Sequence, residues 1–346
     1  MIKKIQIPVS VILLLFLYIT GCSDKSSNPV PVTKKNVGWV AGGLDKNSRG
    51  TVLYTNNSGE TWQSRNNSDI FNNTLLNDVC VINEFTAYFV GDGNSIIKTR
   101  DAGITWTRTN LPDAFGSRTL SSISFFNENV IWVSGDQGTV YKTLDGGQTW
   151  SQEGAGFFPS VLLQGIKVIN EKVIYVASSR MDGYAARTTD GGMTWDSISF
   201  PPNYSYSWIG IGAIDTNNVY IHGATGHYIF SSDAGHNWTG YTTPQHGDLN
   251  CIAMYNNDIF WFACDFDIIL TTTDAGSTWT QKTAPGPSNQ FLVGAYAINR
   301  NEILMVGQSA SYRDTGKIIK STDGGSSWAV KYLSSSNLFK IAFAED

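Results

Sequence analysis

The sequence predicts an all-β protein, a seven-bladed β-propeller of four-stranded antiparallel blades, and three observations support this fold class. One octapeptide ending in tryptophan or a close variant of it recurs seven times along the 346 residues. The stretches between the copies contain four short β segments separated by turn residues, with no helical period. The two ends of the chain carry complementary parts of one repeat.

The octapeptide is the unit that repeats. Its copies are TNNSGETW, TRDAGITW, TLDGGQTW, TTDGGMTW, SSDAGHNW, TTDAGSTW and STDGGSSW, which end at Trp62, Trp106, Trp150, Trp195, Trp238, Trp279 and Trp328. Repeats of 41 to 49 residues are typical of a solenoid or a propeller. Because each copy lies between the third and fourth β segments of its repeat, it is predicted to be a hairpin loop.

The residue types of the octapeptide favour a structural role. Glycine supplies positive φ, and an Asp or Asn side chain bonds to the backbone of its own turn. The tryptophan would bury a large flat face beside its hairpin or between blades. The first copy carries Asn57, which cannot act as a catalytic acid. The same role is predicted for the acids of the other copies, which are Asp101, Asp145, Asp190, Asp233, Asp274 and Asp323.

One repeat shows all four strands, and the chain ends show how the ring closes. The segments LSSISFF, VIWVSG, TVYKT and TWSQE follow one another between turns, as expected of one radial blade. VGWVAGG (37–43) matches the second strand of a repeat, and NLFKIAFAED (337–346) matches the first. The C-terminal strand is therefore predicted to complete the N-terminal blade, which removes an open edge.

The octapeptide resembles the S/T-x-D-x-G-x-T-W motif of BNR/Asp-box repeat proteins. By repeat form and blade number, residues 36–346 resemble the propellers of photosystem II assembly and stability factors. This resemblance implies a non-catalytic scaffold or maturation helper that binds a protein partner. Sialidases and some endoglucanases also carry Asp boxes, so a surface glycan-binding or glycoside-hydrolase propeller remains the alternative. The chain lacks the Arg-Ile-Pro motif of sialidases, which have six blades.

Residues 1–21 are predicted to be a lipoprotein signal peptide. A basic start, MIKK, precedes the apolar run VSVILLLFLYIT and the sequence ITGC. ITGC resembles a bacterial lipobox, which implies lipidation of Cys22 and a protein anchored in the bacterial cell envelope, with the outer membrane or cell surface favoured. An ordinary signal peptide is the alternative. Residues 22–35 are polar and rich in Pro and Ser, as in a flexible tether.

Charge and composition exclude some classes of function. The formal net charge is −5 and there are no basic runs, which argues against nucleic-acid binding. The four histidines show no metal spacing, and no cofactor is predicted. We expect a monomer that binds a protein, with a glycan as the alternative ligand.

The partner is expected on the face that carries the irregular loops, opposite the octapeptides. Aromatic side chains mixed with arginine are typical of protein interfaces and of sugar-stacking surfaces. The predicted contact residues are Arg118, Phe157, Phe158, Arg180, Tyr184, Tyr204, Tyr206, Trp208, Tyr312 and Arg313. Alternatively, part of this set packs the loops themselves. Four acids on this face could serve hydrolysis, although no pair is recognisable, namely Asp182, Asp265, Asp267 and Asp314.

Two cysteines raise the question of a disulfide. In CIAMYNNDIFWFAC a tight turn would bring Cys251 roughly opposite Cys264 on adjacent strands. A disulfide in an oxidising compartment and two buried free thiols are both compatible with this spacing.

Overall fold

The computed structural model describes residues 36–111, 118–179, 183–310 and 315–344. The predicted signal peptide, the tether and Cys22 lie outside the described residues. So do three predicted contact residues and two candidate acids, namely Arg180, Asp182, Tyr312, Arg313 and Asp314.

The described residues form seven four-stranded antiparallel sheets, which confirms the predicted propeller. We number the blades by chain order of their Asp boxes and give strands from the channel outward. Blades 1 to 3 comprise β28 (Leu338–Phe343), β1 (Gly38–Leu44), β2 (Gly50–Thr55) and β3 (Gln63–Ser64); β4 (Leu76–Val81), β5 (Ala87–Gly91), β6 (Ser95–Thr99) and β7 (Thr107–Asn110); β8 (Leu120–Phe125), β9 (Ile131–Gly135), β10 (Val140–Thr143) and β11 (Ser151–Gln152). Blades 4 and 5 comprise β12 (Leu163–Val168), β13 (Ile174–Ser178), β14 (Tyr184–Thr188) and β15 (Asp196–Ser197); β16 (Trp208–Ala213), β17 (Val219–Gly223), β18 (His227–Ser231) and β19 (Thr239–Thr242). Blades 6 and 7 comprise β20 (Leu249–Met254), β21 (Phe260–Cys264), β22 (Ile268–Thr272) and β23 (Thr280–Thr283); β24 (Gln290–Ala297), β25 (Ile303–Ser309), β26 (Gly316–Ser321) and β27 (Ala329–Ser334). Short 3-10 turns lie at Asp69–Phe71, Asp136–Gly138 and Ala224–Gly226.

No helix among the described residues is long and apolar enough to cross a membrane.

The ring closes as the sequence predicts. Strand β28, at the C-terminal end, pairs antiparallel with β1, placing Trp39 opposite Ala342 and Val40 opposite Ile341. The first strand of blade 1 therefore comes from the opposite end of the chain to the other three. This pairing covers the edge that β1 would otherwise expose.

The apolar core lies between blades. Seven clusters of buried side chains are found among the described residues, and each joins two neighbouring blades. The largest fully buried side chains include Trp39, Trp132, Trp208 and Trp261. A single blade therefore buries its two faces only when both neighbours are present.

Each Asp box is a turn closed by its own side chains, as blade 3 shows. Thr143 Oγ1 donates to Asp145 Oδ1 at 2.7 Å and accepts from the Gly147 N–H at 2.9 Å. Thr149 Oγ1 donates to Asp145 Oδ2 at 2.6 Å. These hydrogen bonds lower the pKa of Asp145 to about 2, with the bond from Thr149 as the largest cause. The carboxylate is thus used by its own turn.

The Asp boxes also connect neighbouring blades. The carbonyl oxygen of Gly146, in blade 3, accepts from Lys98 Nζ at 2.7 Å and from Tyr88 Oη at 2.9 Å, both in blade 2. Lys142 Nζ donates in the same way to the Gly191 oxygen at 2.9 Å. Blade 7 reaches blade 1 through Lys320 Nζ, 2.9 Å from the Ser58 oxygen. The predicted hairpin is therefore also a contact between blades.

Of the two alternatives for Cys251 and Cys264, the structure has the two free thiols. Both are free thiols, as is Cys80. A bulge in β20 places Cys251 opposite Ala263 and leaves Leu249 opposite Cys264. Because side chains alternate across a strand, the two sulfurs lie on opposite faces of the blade. Cys264 belongs to the core between blades 5 and 6, and Cys251 packs against the core between blades 6 and 7.

A buried ion pair joins blades 6 and 7. Lys317 Nζ lies 2.7 Å from Asp267 Oδ1, and both side chains are almost fully buried. The same amine donates to the carbonyl oxygens of Pro285 and Pro287, each at 3.0 Å. We expect Lys317→Met to lower the unfolding free energy by about 3–5 kcal/mol, because it leaves the Asp267 carboxylate buried without its cation. Urea unfolding measures the change.

Two variants bracket this prediction. Lys331→Met removes an exposed ion pair to Glu60 and should cost no more than about 1 kcal/mol. The double variant Lys317→Met/Asp267→Asn should recover much of the loss, since it removes the unpaired charge as well. Equal effects of Lys317→Met and Lys331→Met would contradict the prediction.

Buried His222 predicts a pH dependence of stability. Its Nδ1–H donates to the Leu249 oxygen at 2.7 Å, and burial lowers the pKa of the imidazole to about 4. In the unfolded chain the pKa is about 6.5, so between these values the unfolded state binds a proton that the folded state does not. Stability should therefore fall as pH drops from about 6.5 to 4, by on the order of 3 kcal/mol from this residue.

His222→Gln should flatten that part of the pH profile, measured as unfolding free energy at pH 7, 5.5 and 4. The control is His236→Gln, which alters an exposed Asp-box side chain and should leave the profile unchanged. A His222→Gln profile parallel to that of the wild type would show that His222 does not carry the effect.

Candidate binding site

The central channel widens into a funnel of about 770 Å³ on the face that carries the second-to-third turns and the connections between blades. We call this the loop face, and the opposite one, with the first-to-second turns and the Asp boxes, the Asp-box face. One residue from the first strand of every blade lines the funnel. We call this set the bulge ring, and its members are Phe339, Asn77, Ser121, Gln164, Ile209, Asn250 and Val293, in order of blades 1 to 7.

A β-bulge turns each of these side chains toward the channel. In blade 3, Leu120 pairs with Gly135 and Ser122 with Ser134, so that Ser121 has no partner across the ladder. The same register shift occurs in the first strand of every blade. A bulge leaves one residue unpaired and re-aims it. The residue that precedes each bulge-ring residue in the sequence is fully buried in all seven blades. These residues are Leu76, Leu120, Leu163, Trp208, Leu249, Leu292 and Leu338.

A glycine at the end of the second strand makes room for the bulge. The Gly135 N–H donates to the Thr139 oxygen, and the next residue, Asp136, donates to the Thr119 oxygen at 3.0 Å. A Cβ on Gly135 would collide with that same Thr119 oxygen. Gly42, Gly91 and Gly223 meet the corresponding carbonyl oxygens in their blades. These glycines therefore allow the inter-blade connection to approach the second strand.

The bulge ring has a polar arc and a more apolar arc. Asn77, Ser121 and Gln164 follow one another in blades 2 to 4, whereas Val293 and Phe339 adjoin in blades 7 and 1. The Asn77 amide donates to the Leu120 oxygen at 2.9 Å. The side chains of Ser121 and Gln164 form no hydrogen bond with the described part of the chain. The funnel thus offers a hydroxyl and an amide beside apolar side chains, a combination typical of binding sites.

A lysine and an aspartate directly follow bulge-ring residues in the sequence, Lys340 after Phe339 and Asp78 after Asn77. The Asp78 carboxylate accepts from Ser122 Oγ at 2.8 Å and from two backbone N–H groups, and its burial raises its pKa. Lys340 lines the funnel, and no carboxylate of the described residues lies within 4.0 Å of its Nζ. Burial disfavours its charge, but Cys251 and Asp78 favour it, and its pKa is raised. The ammonium is therefore available to a ligand.

The candidate acids that the structure describes differ in position. Asp265 lies beside the funnel, where Asn250 Nδ2 donates to its Oδ1 at 2.8 Å and burial raises its pKa, with Asp248 adding to the shift. Asp267 is buried against Lys317 and is unsuited to proton transfer with a ligand. Within the described ranges, no three His, Cys, Asp or Glu side chains are grouped so that they could hold a metal ion.

None of the predicted contact residues that the structure describes lines the funnel. Arg118 Nη1 donates to Thr139 Oγ1 at 2.7 Å, between blades 2 and 3. Phe157 is exposed, whereas Phe158 packs its ring 4.9 Å from Trp195. Tyr184 is half-buried against the core between blades 3 and 4.

Three predicted aromatic residues lie together at blade 5. Tyr206 stacks on His227 at 3.8 Å between ring centroids, and Tyr204 packs beside both. Trp208 is fully buried in the core between blades 4 and 5. It has no surface to offer a partner, so the predicted contact role does not apply to it. Its place before the bulge, where other blades carry Leu, accounts for its burial.

Sequence reasoning missed the bulge ring. The signal available was the residue that follows the buried Leu or Trp of each first strand, together with a glycine opposite that Leu or Trp in five of the seven blades. In blades 4 and 6 the opposite residue is Ser178 or Cys264. Alternation alone could not assign the residue after the Leu or Trp to the channel, because the bulge changes the register at that position.

Comparisons with known proteins agree with this architecture. The sequence profile described as photosynthesis system II assembly factor YCF48 matches residues 24–152, 67–197 and 115–258, which together cover more than half of the chain. No curated protein sequence matches.

Several solved structures share the fold. YCF48 bound to a D1 peptide has 18% identity and a TM-score of 0.60, over 74% of this chain and 80% of that chain. YCF48 from Cyanidioschyzon merolae has 16% identity and a TM-score of 0.56, over 74% and 84%. The GH74 xyloglucanase from Xanthomonas campestris has 15% identity and a TM-score of 0.59, over 74% of this chain but 45% of that chain.

At these identities the solved structures show a shared propeller fold, and the profile shows the family. The predicted resemblance is confirmed: this chain belongs to the PSII_BNR family, described as photosynthesis system II assembly factor YCF48.

Proposed function

We propose that the protein is a non-catalytic scaffold, anchored by lipid in the cell envelope, that binds a polypeptide segment of a partner protein in the loop-face funnel. The observation that carries the proposal is the bulge ring, which presents an unpaired hydroxyl and amide beside Ile209, Val293 and Phe339. A peptide needs both kinds of contact, because its backbone is polar and its side chains are mixed. YCF48, of the same family, has been solved with a D1 peptide.

The lining of the funnel favours a peptide over a glycan. Sugar rings are commonly bound on exposed aromatic faces. Of the described residues that line the funnel, Phe339 alone is aromatic. The xyloglucanase similarity covers less than half of that enzyme, and one propeller does not supply the cleft between two propellers that the Asp-box endoglucanases use.

Replacing the free polar groups of the funnel should weaken peptide binding. Peptides of twelve residues would be selected on phage against the wild-type propeller, and their affinities measured by fluorescence anisotropy. We expect Ser121→Ala/Gln164→Ala to lower affinity about thirtyfold, since each of the two lost hydrogen bonds contributes about 1 kcal/mol. Thr109→Ala, on the outer strand β7, is the control and should change nothing.

A glycan array and a xyloglucan hydrolysis assay complete this test. Selected peptides that bind the double variant as tightly as the wild type would overturn the funnel as the site. A specific glycan that binds in the funnel when no peptide does, or release of reducing sugar that Asp265→Asn abolishes, would overturn the proposed function.

The proposed anchor is tested at Cys22. In the native host, labelled palmitate should be incorporated into the wild-type chain and not into Cys22→Ala, because acylation requires that thiol. Membrane fractionation should place the wild type in the envelope membranes and release the variant. Cys80→Ala, which alters a buried thiol of the propeller, is the control. An unlabelled wild-type chain would indicate an ordinary signal peptide.

A further inference from the structure

Four exposed apolar side chains lie on the Asp-box face, opposite the funnel. Ile104 is 80% exposed, Met193 82%, Leu144 64% and Phe85 53%. Ile104, Leu144 and Met193 belong to the Asp boxes of blades 2, 3 and 4, and Phe85 belongs to the first-to-second turn of blade 2. We call these four residues the apolar patch.

The seven repeats show that the fold does not require these side chains. The position three residues after the box acid holds Ile104 and Met193 in two blades, and in the others it holds Glu60, Gln148, His236, Ser277 and Ser326. At the position of Leu144 the other copies carry Asn56, Arg100, Thr189, Ser232, Thr273 and Thr322. The equivalents of Phe85 are also polar, namely Asn36, Asn129, Lys172, Asn217, Asp258 and Asn301.

Other exposed apolar residues of this face have a structural explanation and are left out of the patch. Phe126, Ile214 and Tyr255 occupy the position just after the first strand, where the N–H donates across the first-to-second turn. That position is apolar in every blade, with Ile82, Ile169, Ile298 and Ala344 in the others. Because an apolar side chain occurs at this position in all seven repeats, it is explained by the fold and is not evidence for a partner.

Backbone hydrogen bonds tie each box of the patch to the first-to-second turn of its own blade. In blade 2 the Ala102 N–H donates to the Phe85 oxygen at 3.0 Å, which places Phe85 beside the Ile104 turn. In blade 3 the Gly146 N–H donates to the Asn129 oxygen at 3.0 Å, and in blade 4 the Gly191 N–H donates to the Lys172 oxygen at 3.0 Å. The contacts of Lys98 with Gly146 and of Lys142 with Gly191 then fix these three blades side by side.

The turns and boxes that carry the patch contain more acids than cations. The turns and boxes of blades 2 to 4 carry six acids, namely Glu84, Asp101, Glu128, Asp145, Glu171 and Asp190, against the two cations Arg100 and Lys172. The third strands of these blades add three cations, Lys98, Lys142 and Arg187, whose N–H groups are engaged with box carbonyl oxygens of the next blade. Hydrogen bonds from Thr149 and Thr194 lower the pKa values of Asp145 and Asp190 to about 2, so both carboxylates are ionised at neutral pH.

We propose that the apolar patch and its carboxylates bind a basic, amphipathic polypeptide segment. The apolar side chains supply contact area, and the carboxylates complement Lys or Arg on the same segment. A surface of this sign is repelled by anionic lipid, which argues against a bilayer as the occupant. This goes beyond the proposed function and is independent of it, since it concerns a second surface at the other end of the channel.

The test uses an 18-residue Leu/Lys peptide with leucines at helical spacing, and a peptide of the same composition in scrambled order. Affinity for the purified propeller is measured by fluorescence anisotropy at low and high salt. The triple variant Ile104→Ser/Leu144→Thr/Met193→Ser carries residues that sister boxes already use, so it should fold. We expect it to bind the helical peptide about tenfold more weakly than the wild type.

A second variant tests the charges. Asp101→Asn/Asp145→Asn/Asp190→Asn copies the first box, where Asn57 Oδ1 accepts from Thr55 Oγ1 at 2.8 Å and from the Thr61 N–H at 3.0 Å. The turns should therefore persist, while affinity falls and its salt dependence becomes shallower. Leu333→Ser, which alters an exposed leucine on the outer strand β27, is the control and should bind as the wild type does.

Two results would overturn the proposal. One is a triple variant that binds the helical peptide as tightly as the wild type, with its unfolding free energy measured alongside. The other is binding to phosphatidylcholine vesicles that the same triple variant abolishes, together with no preference for the helical over the scrambled peptide. That pattern would assign the patch to a lipid surface.

Discussion

The burial of apolar surface between blades is the interaction on which the rest of this structure depends. Every cluster of buried side chains in the described chain joins two neighbouring blades. A blade therefore has no stable core until both its neighbours are in place, and the ring has no stable end until β28 pairs with β1. The Asp boxes add directional contacts to this burial. In blades 2 and 3, for example, Lys98 and Lys142 each donate to the box carbonyl of the following blade.

A ring held in this way leaves particular positions free for function. The bulge in each first strand removes one residue from the ladder, so that its side chain can vary without loss of strand pairing. The side chain three places after each box acid can vary for a similar reason. The turn uses the backbone N–H of this position, as where the Gln148 N–H donates to Asp145 Oδ1 at 2.9 Å, and Ile104 and Met193 occupy the same position in other boxes. In this protein both sets differ from blade to blade, whereas the leucines before the bulges and the box acids are nearly uniform. The variable positions are therefore the ones that can distinguish a partner.

The fold can be predicted directly from the sequence, whereas the residues of the binding site cannot. Seven boxes, four β segments per repeat and complementary ends predict the blades and their closure. The orientation of Ser121 was not predictable, since LSSISF alternates equally well in two registers and the bulge decides between them. The same one-residue shift in β20 places Cys251 opposite Ala263 and not roughly opposite Cys264 as the sequence predicts. Ile104 and Met193 could have been found by comparing the seven boxes position by position, because their sisters are polar.

The two proposed surfaces lie on opposite faces of the ring. Asn36 lies on the Asp-box face, where its carbonyl accepts from the Ser58 N–H at 3.0 Å and its own N–H donates to Ser58 Oγ at 3.1 Å. The funnel lies at the other end of the channel, and the two surfaces have no residue in common. A peptide bound in the funnel would therefore leave the apolar patch open to a basic segment. Two binding surfaces at opposite ends of one rigid channel would hold two partners at a fixed separation. This is the sense in which the chain is proposed to be a scaffold.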